Sequence, residues 1–268
     1  MINMNSNKEN NINEIIEDKI NNGYEIDLGN IIDNSLEVYK KIVWKAGLGY
    51  FMIIGIVFLI AMTISLSLID GSNLEEFKEI SQDPNYFYKN PTVLAWFIIG
   101  GLVINIIFIP LNAGFLNLCR LSKTNQEFTT ANIFDYYKSK YLKDLIIGSI
   151  LITLITTLFT TGLDMLNLKI VSFVIQISFA LFTFLFLPLV IYGNQSFGNA
   201  IKKSILLVMK SPFTILGAMI IGILFILVGI IGFCIGILFT IPFYSCLIYT
   251  LYESIIGFED NKNEVTEI

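Results

Sequence analysis

Long apolar runs, each about the length that crosses a bilayer, decide most of what this chain can fold into. A transmembrane helix needs about 20 consecutive, mostly apolar residues. Five blocks approach or exceed that length: residues 46–69, 92–116, 145–163, 170–192 and 213–252. The fifth is about twice as long as one crossing requires. Its middle carries Gly229, Gly232 and Gly236, a glycine density that suits a tight turn. Splitting it there gives spans at 213–230 and 234–252, and six crossings in all. Backbone groups in lipid must be satisfied within the segment, so each span is expected to be a helix. A β-barrel would alternate apolar and polar residues, and these runs do not.

Composition agrees. Hydrophobic residues make up 54% and charged residues 15%, against roughly 25% charge in a soluble domain. The mean hydropathy is +0.70. A net charge of −5 argues against nucleic acid, which calls for a basic face. The chain has no histidine, which removes the commonest general base and metal ligand. Cys119, Cys234 and Cys246 form no CxxC pair and read as packing residues.

Residues 1–22 are Asn-rich and lack an apolar h-region, so they read as a disordered cytoplasmic tail rather than a signal peptide. The membrane domain is expected over 23–256, followed by a second cytoplasmic tail over 257–268. Of the 17 lysines and arginines, fourteen fall on the side that holds both termini. Only Lys78, Lys89 and Lys169 fall on the other. The positive-inside rule then places both termini in the cytoplasm of a multi-pass protein of the cell (inner) membrane. The longest outer loop, 70–91, is acidic.

Each pair of spans is preceded by an amphipathic stretch. The three begin at Asp27, Thr129 and Ser196, all good N-cap residues. Each has a small residue two positions on and an asparagine three positions on: Asn30, Asn132 and Asn199. Apolar residues at helical spacing and flanking lysines make each an expected interfacial helix. The second span of each pair carries a proline, Pro110, Pro188 or Pro242. Proline frees the carbonyl four residues back, here Ile106, Phe184 and Leu238. The expected fold is therefore all-α and polytopic: three parallel hairpin repeats, each led by an amphipathic interfacial helix. Parallel repeats relate by an axis along the membrane normal.

The segment Ser196-Phe-Gly-Asn-Ala-Ile-Lys-Lys-Ser204, the glycine-rich last hairpin, and Ile241-Pro242-Phe243 leading to Tyr249 carry a resemblance. Over roughly 27–256 the chain resembles bacterial six-helix membrane proteins related to the glycerophosphodiester phosphodiesterase membrane domain. The resemblance implies a fold rather than a reaction, because that pattern contains no catalytic residues. No soluble stretch in this sequence is long enough for the phosphodiesterase barrel that some relatives carry.

Intramembrane polar residues are few. Asn105 and Asn112 lie seven residues apart in the second span, and Gln176 lies in the fourth. Such amides either bond neighbouring helices or line a path through the membrane. Ser149, Thr153, Thr156 and Thr160 form a hydroxyl stripe that reads as a helix contact. Gly232-x-x-x-Gly236 fits either close helix packing or the turn. No carboxylate or cation stands mid-span, which argues against a proton relay. No HExxH, GxSxG or Walker motif occurs. No catalytic residue, cofactor or metal is therefore expected. The leading functional reading is a non-enzymatic scaffold or accessory subunit whose partners are the lipid bilayer and another membrane protein. The alternative is a transporter or lipid-handling protein with a cavity among the proline-kinked helices. A membrane-embedded enzyme ranks last.

Overall fold

The computed structural model describes residues 2–67, 90–231 and 235–258. Residues 70–89 of the outer loop, the turn at Gly232 and the tail from residue 259 lie outside them. The described residues are helical, with no strand among them. In order they form α1 (Ile2–Asn22), α2 (Leu28–Ser67), α3 (Pro91–Lys123), a 3-10 helix (Thr130–Lys138), α4 (Leu142–Met165) and α5 (Lys169–Phe182). Then come α6 (Phe186–Ile191), α7 (Phe197–Lys210), α8 (Pro212–Ile231) and α9 (Ile235–Ile256). Six segments among the described residues are long and apolar enough to cross a membrane: Leu28–Ile60, Pro91–Lys123, Leu142–Met165, Lys169–Ile191, Pro212–Ile231 and Gly236–Ile256. The protein is a multi-pass membrane protein.

Apolar surface remains outside as well as inside. Phe51 and Phe58 of α2, Trp96 and Phe97 of α3, Leu158 of α4 and Val228 of α8 are all exposed, a surface that hydrocarbon covers. The buried residues gather instead in the first half of α2, the last third of α3, α6, α7 and the second half of α9. All of these sections adjoin the lysine-rich connections. One end of the molecule is therefore densely packed, around Tyr249, Tyr252, Phe115 and Phe243.

The first amphipathic stretch is not a separate interfacial helix. It runs straight into the first span as the 40-residue α2. No proline falls between 28 and 67 to remove an N–H and stop the helix. At 1.5 Å per residue α2 is about 60 Å long, roughly twice the hydrocarbon thickness, so its lysine-bearing start stands outside the apolar layer. The second stretch is a nine-residue 3-10 helix. Its buried residues, Ile133 and Tyr136, are three apart, the spacing that a 3-10 helix stacks on one side. Only the third stretch, α7, is a separate amphipathic α-helix.

Residues 2–22, part of the expected disordered tail, form α1. Ile16 is fully buried and Ile20 nearly so. With Ile12 and Ile15 they make one apolar stripe at helical spacing. Glu17 pairs with Lys203 of α7 at 3.2 Å, and Asn13 accepts from Gln195 at 2.7 Å and from Lys203 at 3.0 Å. Just beyond α1, Tyr24 donates to the Leu207 carbonyl at 2.7 Å. Burial pushes that phenol above its ordinary pKa, so it acts as a neutral donor.

The fourth span, expected to be continuous over 170–192, is broken between α5 and α6 at residues 183–185. Pro188 lies just after the break, where its ring excludes the carbonyl at Phe184 from a helical bond. The α8–α9 hairpin is close-packed at its far end. A Cβ on Gly229 would stand 2.2 Å from Thr240 Oγ1 and 2.9 Å from the Gly236 carbonyl, so only glycine allows this approach.

Candidate functional site

Eight residues after Asp27, Thr129 and Ser196 stand Ser35, Tyr137 and Ser204. Each carries a hydroxyl to the proline-bearing span of a different hairpin. Ser35 Oγ lies 2.5 Å from Thr250 Oγ1 of α9. Both also reach carbonyls of their own helices, Ile31 at 2.6 Å and Cys246 at 2.9 Å. Tyr137 donates its hydroxyl to the Ile107 carbonyl of α3. Ser204 donates to the Phe182 carbonyl at 2.7 Å and accepts the Leu185 N–H at 3.2 Å. The last two bonds fall one and two residues from the carbonyls that Pro110 and Pro188 free. Near Pro242, Thr240 donates to the Ile237 carbonyl of its own helix at 3.2 Å, one residue from the Leu238 carbonyl that the proline frees.

The packing follows the same order. The first half of α2 lies against α9, the 3-10 helix against α3, and α7 against α6. Gly114 of α3 meets the 3-10 helix backbone to backbone: a Cβ there would stand 1.9 Å from the Ile133 carbonyl oxygen. Ile31, Ile133 and Ala200, four residues after the three starting positions, are all buried at these contacts.

The repeated asparagines play unequal parts. Asn132 accepts the Thr129 N–H at 2.8 Å and donates to Asp135 at 3.0 Å, folding the 3-10 helix onto its own start. At the first stretch the cap is Asp27, which accepts the Asn30 N–H at 2.7 Å. Ser196, expected as an N-cap, makes no side-chain cap bond. Asp144 of α4 takes that place, accepting the Phe197 N–H at 2.9 Å. Asn30 and Asn199 are exposed.

The three intramembrane amides do not converge. Asn105 donates to Thr153 at 3.2 Å and joins α3 to α4, while its Oδ1 is buried without a partner. Asn112 and Gln176 are exposed. Within the hydroxyl stripe, Ser149, Thr156 and Thr160 bond carbonyls of α4 itself, and Ser172 of α5 donates to the Thr160 carbonyl at 3.3 Å. The stripe therefore joins α4 to α3 at Thr153 and to α5 at Thr160.

Polar groups do gather where α3, α6 and α9 end. Tyr192 donates to the Leu116 carbonyl at 2.8 Å, and burial holds its phenol well above the ordinary pKa. Arg120 lies 5.6 Å over the Tyr192 ring and 5.8 Å over Phe258, in the range of cation–π attraction. The chain reverses at Gly257, whose φ of +79° glycine alone adopts readily, and this returns Phe258 to Tyr249 and Tyr252. Glu253 lies 3.9 Å from Lys123 and accepts from Tyr249 at 3.4 Å. These bonds tie helix ends together. No group of three potential metal ligands occurs among the described residues. Cys119 and Cys246, both buried thiols, touch at 3.3 Å between α3 and α9, in keeping with a packing role.

The membrane-level opening lies elsewhere. An apolar groove of about 420 Å³ runs between α4, α5 and α7, beside the break in the fourth span. None of Asn105, Asn112 or Gln176 lines it. Neither the groove nor the hydroxyl joints stood out in the sequence. The joints had a signal, the constant offset of eight residues from each starting position. Comparison with family models, curated proteins and solved structures finds no match to this chain.

Proposed function

We propose that this protein is a non-enzymatic scaffold or accessory subunit of a membrane complex, built as a closed ring of three parallel hairpins. The observation that carries the reading is the set of joints at Ser35, Tyr137 and Ser204. The first repeat's leading segment leans on the third hairpin, the third's on the second, and the second's on the first. A ring joined in this way holds side chains at its centre rather than a path. The amides a path would use do not converge: Asn105 bonds Thr153 through its Nδ2, and Asn112 and Gln176 lie at the surface. The cell (inner) membrane and a cytoplasmic location for both termini belong to this proposal, supported by the lysine bias. So does kinship with the glycerophosphodiester phosphodiesterase membrane-domain relatives, supported by the motif around Ser196–Ser204.

On this reading the lysine-bearing face, where α1 and the three leading segments lie, presents the surface for another membrane protein. The test is extraction of the tagged full chain with its native lipids. A second membrane protein should copurify at a fixed ratio and persist through size exclusion. A homogeneous particle that holds this chain alone sinks the reading. So does a density map with a continuous polar channel through the ring.

A further inference from the structure

The two thiols that pack between α3 and α9 are also placed to react with each other. Cys119 and Cys246 stand 127 residues apart in the chain, on the first and third hairpins, and their sulfurs meet at 3.3 Å. Cys119 donates to the Phe115 carbonyl of its own helix at 3.3 Å. With that hydrogen committed, Cys246 is the donor and Cys119 the acceptor between the two sulfurs. A disulfide holds its sulfurs at about 2.05 Å, so the pair stands roughly 1.3 Å short of bonding distance. The register does not depend on the cysteines, because Lys123 of α3 and Glu253 of α9 lie 3.9 Å apart further along the same two helices. Nor does packing call for sulfur here: Leu116, Leu118 and Leu247 fill the same core with hydrocarbon.

We propose that Cys119 and Cys246 are a modification site, oxidised by hydrogen peroxide to a disulfide that locks the first hairpin to the third. Both thiols are fully buried, which shuts out a bulky oxidant. Peroxide is little larger than water, and the way in is short. Arg120, next to Cys119, is exposed, and α3 ends four residues on at Lys123, about 6 Å away. Opening of such a helix end costs less than global unfolding. One thiol attacks a peroxide oxygen, the O–O bond breaks, and the departing hydroxide takes the thiol proton and leaves as water. The other sulfur then attacks the sulfenic acid so formed, the S–O bond breaks, and a second water leaves with the second thiol proton. Two electrons pass from the sulfur pair to the peroxide, and a reducing thiol reverses the bond by exchange. The site needs only the contact between α3 and α9, so it stands or falls apart from the scaffold reading.

The experiment uses the full chain in detergent, carrying Cys234→Ala so that only the pair remains. The folded protein is treated with hydrogen peroxide, quenched with catalase, unfolded in the presence of a maleimide and mapped by peptide mass spectrometry. Both maleimide labels should be lost, and one joined peptide should carry Cys119 and Cys246. Dithiothreitol before the maleimide should restore both labels. The oxidised protein should also melt at a higher temperature than the reduced one, because the bond closes a long loop in the unfolded chain. Adding Cys119→Ala or Cys246→Ala to this background should abolish that rise. Two labels remaining after peroxide, on protein that elutes as the untreated sample does, overturn the proposal. So does sulfinic or sulfonic acid at either position in place of the joined peptide, or an undiminished rise in melting temperature in either monodisperse alanine variant.

Discussion

Ser204 bridges the gap in the fourth span, donating to the Phe182 carbonyl at 2.7 Å and accepting the Leu185 N–H at 3.2 Å. One hydroxyl thus serves both sides of a backbone break that water cannot reach, since Ser204 is fully buried. Ser204→Ala should leave a donor and an acceptor unmet and cost about 1–3 kcal/mol. Ser35→Ala, at the equivalent position, should cost only about 0.6 kcal/mol, because Thr250 keeps its bond to Cys246. Thermal unfolding of the purified variants in one detergent ranks them. Equal losses at the two sites would mean that the break in the fourth span does not depend on Ser204.

Gly114 faces a harder limit. A Cβ at that position would stand 1.9 Å from the Ile133 carbonyl oxygen, and the obstacle is backbone, which cannot rotate away. Gly114→Ala should reach or exceed the upper end of the about 1–3 kcal/mol typical of overpacking. Gly101→Ala in the same helix meets nothing within 4 Å and should leave stability unchanged. The comparison is read as monodisperse yield and melting temperature. A well-folded Gly114→Ala protein would show that the 3-10 helix can stand away from α3.

The helix α1 should behave as docked structure rather than as a tail. Ile16 is fully buried, so Ile16→Asp would place an unpaired carboxylate in an apolar contact or force α1 off. In the parent protein the bond after Lys19 should resist trypsin. In the variant it should be cut about tenfold faster or more, as the open population rises. Identical cleavage rates would show that α1 is already detached in solution.

Hydropathy made six helices legible because crossing a bilayer is a demand on composition and length. The finer joints depend on single atoms. Ser35, Tyr137 and Ser204 share a hydroxyl and an offset, but little else that a pattern of apolar residues would register. Pro188 was visible, but a proline tells only which carbonyl it frees; whether the helix kinks or breaks depends on what the neighbour offers, and here Ser204 offers both a donor and an acceptor. The stripe Ile12, Ile15, Ile16 and Ile20 was present in residues 1–22 and hidden by the surrounding asparagines. The amides misled in the other direction. A spacing of seven places Asn105 and Asn112 on one helix face, yet only Asn105 lies where α4 passes.

Topology can be tested at two exposed positions. In a background with Cys119, Cys234 and Cys246 replaced by alanine, Lys140→Cys precedes α4 and Asn167→Cys sits in the α4–α5 turn. The lysine bias predicts that a membrane-impermeant maleimide labels Asn167→Cys in intact cells and Lys140→Cys only after permeabilisation. Labelling of both from one side would remove the third crossing.

Asn105 offers the sharpest separation of a packing amide from a functional one. Its Nδ2 reaches Thr153 at 3.2 Å, but its buried Oδ1 has no partner, so the pair contributes one weak interhelical bond and carries one desolvated acceptor. Such bonds average about 0.6 kcal/mol in a bilayer, while an unmet buried acceptor costs about 1–3 kcal/mol. Replacing both residues with apolar ones of similar shape, Asn105→Leu with Thr153→Val, should therefore leave the protein at least as stable as the parent. Thr153→Val alone should lower the melting temperature, because it leaves the whole amide unpartnered. If the double variant proves the less stable, the Asn105 carbonyl has a partner in the membrane, and a water or ligand between α3 and α4 becomes the next thing to look for.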